Sequence, residues 1–331
     1  MLSLTGALRG REVVVVGDAV ADEFVYGRVA RVSREAPVLI LEYDSSEIVA
    51  GGAGNAANNI AALGGRATLV ALVGRDESGR RLVSSLHKGV ETRRLLRVAG
   101  MPTPIKTRIL AGGVHSAKQQ VVRIDRGVSP QITPRVRAAF ERTVLKTIAR
   151  ADAVLVSDYG SGLVTPALVQ KIRRTLAQAG HPIPVLIDSR YRLLDFKGLT
   201  ACTPNQSEVE QALGIQINDN TRALERAGRE ILERTRMQAV LITRGSHGMA
   251  LFVRNGPVVH IPIFGTDAIV DVTGAGDTVV SAVTLALAAG SSFEDAARLA
   301  NYAGGLVVMK RGTATVGTSE LRRAISRDGR G

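Results

Sequence analysis

The chain has 331 residues, 45% of them apolar but only 3% aromatic, with no Trp and a single Cys. That length suits one large α/β domain or two smaller ones. Cys202 alone excludes an intramolecular disulfide and a multi-cysteine metal centre, and so few aromatics make a base-stacking platform for nucleic acid a poor fit. The formal charge of +13 is scattered through pairs such as Arg93-Arg94, Arg173-Arg174 and Arg322-Arg323. It reads as solvated surface charge, or as a field that attracts an anionic small molecule, ahead of nucleic acid. No N-terminal segment has the form of a signal peptide. The longest apolar stretch, Thr278–Ala289, falls short of the ~20 residues a membrane helix needs. A soluble, cytoplasmic protein with no nucleic-acid or membrane partner is expected.

In chain order, Val13–Val16 reads as a buried strand ended by Gly17-Asp18. Strand-like runs recur at Ala67–Val73, Ala153–Ser157, Pro184–Asp188 and Ala239–Thr243. Helical patterns lie between them at Asn55–Leu63, Thr165–Ala179 and Ser207–Leu213. The alternation predicts a mostly parallel sheet covered on both faces, with ligands at the carboxyl ends of its strands. Two segments break the rhythm, Val29–Asp44 and Thr103–Asp125, the second with a turn at Gly112-Gly113. Both read as hairpin-type pieces. Together they predict a small β-sheet lid on a single domain spanning 1–331, built from about 24–50 and 101–126.

Five motifs could carry chemistry. Asp18 and Asp22 follow a strand end and could accept hydrogen bonds from sugar hydroxyls, although turn chemistry accounts for them equally well. Gly51-Gly52-Ala53-Gly54-Asn55-Ala56-Ala57 fits two uses. One is close backbone approach to a sugar, with Asn55 hydrogen-bonding. The other is a G-x-G-x-x-A dinucleotide fingerprint with Asp76 as the downstream acid, which keeps a nicotinamide dehydrogenase in play. Asn205 and Glu208 lie three apart at a helix start, where they suit hydrated Mg²⁺ or plain capping. Thr243-Arg244-Gly245-Ser246-His247-Gly248 follows a strand and could admit a nucleotide or simply turn a hairpin. Finally, Asp271-Val272-Thr273-Gly274-Ala275-Gly276-Asp277 leads into an apolar helix. Glycines at a helix start let a phosphate meet unpaired N–H groups. A carboxylate in the same turn suits a base that deprotonates an attacking hydroxyl beside a transferring phosphoryl group. Neither a Walker A sequence nor a protein-kinase catalytic loop is present.

Taken together these motifs resemble the ribokinase (PfkB) family of carbohydrate kinases, over nearly the whole chain. Gly51 to Gly74 is similar to the first family signature, with Asn55, Ala57 and Gly64 at the expected spacings, and Asp271 to Thr284 to the second. Within the family the chain is most similar to the branch that phosphorylates heptose 7-phosphate. That likeness is carried by Gly17-Asp18, Asp22, Arg31 to Val38, Ser157-Asp158-Tyr159, Thr203 to Glu208 and Asp271 to Asp277. The resemblance implies a ribokinase-like three-layer αβα sandwich with a mostly parallel central sheet and a small β lid. It implies phosphorylation of a sugar or sugar phosphate by ATP with Mg²⁺. Separately, a small sheet hung from one edge of a domain cannot bury both faces by itself, which predicts a homodimer joined through the lid. Asp277 would be the base and Gly274, Ala275 and Gly276 the donors to transferring charge. Asp18, Asp22, Gly51, Gly52, Asn55 and Arg190 would hold the acceptor. Asn205, Glu208, Thr243, Gly245, Gly248 and Asn301 would line the nucleotide site, Asn205 and Glu208 also organising Mg²⁺. A monovalent cation, K⁺, is implied near Asp271 and Gly312. There are departures. Ser161 stands where a lysine is usual, Asp188-Ser189-Arg190 replaces Asp-Pro-Lys, and Glu23 stands where a basic residue is usual. The lost lysine and added acid are expected to weaken binding of a sugar phosphate, with Arg190 compensating. Another PfkB sugar kinase and a catalytically silent sugar- or nucleotide-binding regulator remain alternatives. The nucleotidyltransferase domain that follows some of these kinases is not expected.

Overall fold

Strand β1 (Glu12–Gly17) shows how the core is built, in a computed structural model that describes residues 1–112, 118–127, 131–265 and 270–328. Its Val13–Val16 run is buried on both faces, as a central parallel strand must be. Because successive side chains alternate, the run serves two cores. Val13 and Val15 pack with the helices Ala53–Ala62, Ala275–Ala288 and Phe293–Val307. Val14 and Val16 pack with Pro134–Thr147, Pro166–Gln178 and Thr221–Thr235. The result is a helix–sheet–helix sandwich. Local chemistry starts two of these helices, the second of them where a helix was expected from Thr165. Thr133 and Thr165 each cap an N-terminus and are followed by Pro at the first turn.

The remaining strands are β2 (Ala19–Val32), β3 (Leu39–Gly52), β4 (Arg66–Gly74), β5 (Val90–Glu91), β6 (Leu96–Val98), β7 (Ile105–Gly112), β8 (Gln119–Arg126), β9 (Ala153–Asp158), β10 (Val185–Ser189), β11 (Ala201–Cys202), β12 (Ala239–Thr243), β13 (Met249–Val253) and β14 (Val258–Ile261). The large sheet runs β14-β13-β12-β11-β10-β9-β1-β4-β5, with β6 also on β4. Its pairs are parallel from β12 through β5, and β12-β13-β14 is an antiparallel edge. The order reverses around β1, which has β4 on one side and β9 on the other. Chain crossovers diverge there and leave a crevice beyond the strands' carboxyl ends. Asp18, Tyr159, Arg190, Thr203 and Arg244 directly follow the ends of β1, β9, β10, β11 and β12. No helix among the described residues is long and apolar enough to cross a membrane.

A second sheet, ordered β3-β2-β7-β8, stands over that crevice. β2 pairs antiparallel with β3 and parallel with β7, and β7 pairs antiparallel with β8. β2 and β3 begin and end a few residues outside the 24–50 expected to contribute to the lid. Of the turn expected at Gly112-Gly113, residue 113 lies outside the described residues. The helix expected at Thr278–Ala289 begins earlier, at Ala275, and takes in the Gly-Asp turn.

Candidate active site

Asp277 is the third residue of the helix Ala275–Ala288 and is 3% exposed. Gly274 precedes the helix with φ 78°, and a Cβ there would meet the Asn55 Nδ2 at 2.6 Å. Both the left-handed backbone and the close approach require glycine. The Asp277 carboxylate receives two hydrogen bonds. Asn55 Nδ2 donates to Oδ2 at 2.8 Å and the Tyr159 hydroxyl donates to Oδ1 at 3.0 Å. The Asn55 orientation follows from its neighbours. Asn59 Nδ2 donates to Asn55 Oδ1 at 3.0 Å, and the Thr278 hydroxyl donates to Asn59 Oδ1 at 2.9 Å. Asn55 must therefore turn its amide N–H toward the carboxylate. Burial raises the Asp277 pKa to about 7, and these two donors hold it from rising further. A carboxyl poised near neutrality beside a helix N-terminus has the properties of a general base.

The backbone around it divides differently from the expectation. The Ala275 N–H is spent on Val272 O at 3.2 Å. Among the described residues the N–H groups of Gly274 and Gly276 have no acceptor. Those two are free to meet an anion, and Ala275 is not in this arrangement. Asn55, expected against the sugar, instead supports Asp277.

Asp18 and Asp22, expected to hold the acceptor, are both buried. Asp18 accepts from Tyr159 N at 2.8 Å and from both Ser161 N and Ser161 Oγ. It organises the loop that delivers Tyr159, and Ser161, in place of the usual lysine, is its partner. Burial raises its pKa most, against those hydrogen bonds. Asp22 pairs with Arg108 at 2.6 Å, and its other oxygen faces Thr313 Oγ1 at 3.5 Å. Gly51 is required beside it, since a Cβ there would strike the Asp22 carboxylate. Gly52, with φ 56°, likewise has Asp18 O and the Tyr159 ring where a side chain would go. Glu23 points to the opposite face of the small sheet, where Thr107 Oγ1 donates to it at 2.6 Å and Arg126 pairs with it at 3.3 Å. The charge expected to repel a sugar phosphate is neutralised and faces away from the cleft.

On the other side of the Gly274–Asp277 turn opens a cavity of about 390 Å³. Asn205, Thr243, Gly245, Gly248 and Asn301, all expected around the nucleotide, line it together with Ala275 and Gly276. Met249, Val279 and Val308 give it apolar walls, and Gly304-Gly305 keep one wall free of side chains. Asn301 donates to Pro262 O at 2.8 Å and so holds the wall in place. Glu208 opens onto a neighbouring cavity with Ser189 and Arg190.

Asn205 and Glu208 form a reciprocal capping box. The Asn205 Oδ1 accepts from both Glu208 N and Ser207 Oγ, so that oxygen is not open to an ion. The fit to Mg²⁺ lies elsewhere. Burial and then the charge of Asp277, followed by that of Glu208, push the Asp188 pKa well up, and burial raises that of Glu208. Carboxylates crowded against one another are what a cation relieves. Among the described residues no group of three or more His, Cys, Asp or Glu is placed to hold an ion. Asp271 accepts from Thr273 N at 2.9 Å and Gly312 N at 3.0 Å, joining the two segments between which a monovalent cation was expected. The dehydrogenase alternative fails on geometry. Gly52-Ala53-Gly54 follows an antiparallel strand of the small sheet, and Asp76 caps the helix Glu77–Ser84 while accepting from Thr103 N and Oγ1.

A buried carboxyl at a helix start, set between an apolar slot and a small sheet that overhangs the crevice, fits a ribokinase-like phosphotransferase of the sugar-kinase type. The chain belongs to the pfkB family of carbohydrate kinases, whose pattern matches residues 11–320. It is 40% identical over 325 residues to the bifunctional protein HldE of Geobacter metallireducens, covering 96% of this chain and 64% of that protein. It is 41% identical over 328 residues to HldE of Caulobacter vibrioides, covering 98% and 65%. The chain thus spans a little under two thirds of these relatives. Arabidopsis thaliana ribokinase complexed with ribose and ATP shares the fold at a TM-score of 0.74 and 20% identity, covering 96% of this chain and 99% of that one. Escherichia coli phosphofructokinase-2 in complex with fructose-6-phosphate shares it at 0.76 and 18%, with the same coverage.

Proposed function

We propose that the chain transfers the γ-phosphoryl group of ATP to a hydroxyl of a sugar phosphate, heptose 7-phosphate being the acceptor its motifs resemble most. The observation that carries this is Asp277, ionising near neutrality between an acceptor-side cleft and a nucleotide-sized slot. The Asp277 carboxylate takes the proton of the acceptor hydroxyl. The freed oxygen forms its bond to the γ-phosphorus as the bond to the β-phosphate oxygen breaks, releasing ADP. The N–H groups of Gly274 and Gly276 stabilise charge on the group in transit. The apolar slot takes the base, with Thr243, Gly245 and Gly248 at its edge. Glu208 and Asp188 would hold Mg²⁺ through water, and the ion would neutralise phosphate charge there. Tyr159 and Asn55 aim the Asp277 carboxylate.

The small sheet serves as the lid, and closing it over the acceptor excludes water that would otherwise compete for the phosphoryl group. Support for a phosphorylated acceptor comes from Lys106, Arg108, Arg123 and Arg190 around the cleft and from the inward-facing side of a sheet that turns Glu23 outward. The test is a panel of free and phosphorylated sugars assayed for ADP release. Heptose 7-phosphate should give the highest kcat/KM. A clear preference for an unphosphorylated pentose or hexose would replace this reading with an ordinary sugar kinase.

A further inference from the structure

The helices Ala53–Ala62 and Ala275–Ala288 pack against each other, with Ala56, Ala57, Ile60 and Val280 in the same buried cluster. Asn59 and Thr278 lie fully buried where they meet. A buried amide is costly unless its hydrogen bonds are made, and here they are. The Asn59 Nδ2 donates to the backbone oxygen of Asn55 at 3.0 Å and to Asn55 Oδ1 at 3.0 Å. The Asn59 Oδ1 accepts from the Thr278 hydroxyl at 2.9 Å. A backbone oxygen can only accept, so the Asn59 nitrogen must face Asn55 and its oxygen must face Thr278. Asn55 in turn has its own amide oxygen claimed. Its Nδ2 donates to Asp277 Oδ2 at 2.8 Å and to Gly274 O at 3.4 Å. An amide free to turn over would serve either form of a carboxyl. Its N–H would donate to the carboxylate, and its oxygen would accept from the protonated acid. Held by Asn59, Asn55 is a donor only, and the ionised form alone gains.

We propose that Asn59 is a positioning residue for the reaction: by claiming the Asn55 amide oxygen it restricts Asn55 to donating, so that Asn55 supports Asp277 as a base and cannot accept from it as an acid. The proposal rests on the reading of Asp277 as the base given under the proposed function. Asn59 does not line the nucleotide slot, and it acts only through Asn55. The alternative is that Asn59 and Thr278 merely join two helices. Their loss would then cost stability and lower activity by the same factor at every pH. The other groups that face Asp277 are Tyr159 after β9, Asp188 on β10, Asp22 on β2 and Lys106 on β7. The two carboxylates disfavour its ionised form. Lys106, whose ammonium lies 4.8 Å from the centre of the Tyr159 ring, favours it. All four remain in every variant below, so a difference between variants reports on the amide.

Two readouts test this: the acid limb of kcat/KM with ATP and heptose 7-phosphate, and an NMR titration of the Asp277 carboxyl carbon with neither substrate present. Labelled aspartate supplies the signal, and Asp277→Asn identifies it by its loss. Asn59→Leu cannot donate to Asn55. Both readouts should move up by roughly half to one pH unit. The loss in kcat/KM should then be about three- to tenfold at about pH 6 and under about twofold at about pH 8.5. Thr278→Val removes the hydroxyl but keeps the shape, and should move both readouts by less in the same direction. Thr278→Ser keeps the hydroxyl and should leave them where wild type has them. With Asn55→Ala already in place, Asn59→Leu should move neither. No movement, a loss independent of pH, or a full shift on the Asn55→Ala background overturns the proposal. If Asn59→Leu does not fold, as its melting curve will show, the two Thr278 variants decide. A shift with valine alone sustains the proposal, and equal behaviour of the two overturns it. A carboxyl that shifts in a chain that releases no ADP rejects the kinase reading and leaves the positioning role standing. Turnover with an unmoved carboxyl does the reverse.

Discussion

Asp277 meets two opposed demands. The proposed mechanism needs it ionised, while burial favours the neutral form and lifts its pKa to about 7. The hydrogen bonds from Asn55 and Tyr159 are what keep it that low. Activity should therefore fall below about pH 7 as the base is protonated. Tyr159→Phe removes one donor to the carboxylate, so the acid limb of kcat/KM should move to higher pH by roughly one unit. A limb that stays put or moves down would show that Tyr159 does not tune the base. The same burial acts on stability. The folded pKa lies above the ordinary 3.8, so the native state binds the proton more tightly than the unfolded chain. Stability from this group is fully present below about pH 4 and is lost as pH rises through 7. Asp277→Asn abolishes that loss, so at pH 8 the variant should be more stable than wild type, by an amount on the order of a few kcal/mol, and should melt higher. An unchanged or lower melting temperature at pH 8 would mean that the carboxylate is better solvated than its burial indicates.

The element that matters most is the helix Ala275–Ala288, because its start supplies the proposed base and the free N–H groups at once. Gly274→Ala would force a side chain into a left-handed backbone and against the Asn55 amide. It should lower kcat by at least tenfold with a smaller effect on the melting temperature. A variant with normal kcat would show that the turn relaxes without moving Asp277. The same helix shows what the sequence makes legible. Gly-Ala-Gly-Asp before an apolar run announces a phosphate-facing turn, and Asp277, Gly274 and Gly276 could be named from it. Runs such as Val13–Val16 and Ala239–Thr243 announce central strands, since a parallel strand buried on both faces is continuously apolar. The two- and three-residue strands β5, β6 and β11 carry no such run. Tyr159, Lys106 and Arg108 were not assignable, because their partners are 118, 53 and 86 positions away. The alternation of Lys106 and Arg108 in a strand was the available signal, and it does not say which face looks inward. Asn205 shows the converse. Its spacing from Glu208 suits an ion, but capping consumes the amide oxygen.

For the molecule as a whole, the small sheet is both roof and candidate interface. The helix Glu77–Ser84 packs near the base of β2 and β3, while β8 is exposed along its full length. Val122 and Ile124 are exposed there on the face away from Asp22. Exposed β-branched residues on an unpaired edge suit a second copy of the sheet. Sedimentation at micromolar concentration should show a homodimer, and charged residues at both positions should yield monomers. A monomeric wild-type chain ends that reading without touching the chemistry. The central claim, that this fold positions Asp277 to deprotonate the acceptor, is tested most directly by the turnover of Asp277→Asn with ATP and heptose 7-phosphate. Asparagine keeps the size of the side chain but cannot take the proton. Turnover should fall by ~10²–10⁴-fold while affinity for ATP stays near that of wild type. Near-normal turnover in the variant would contradict the account.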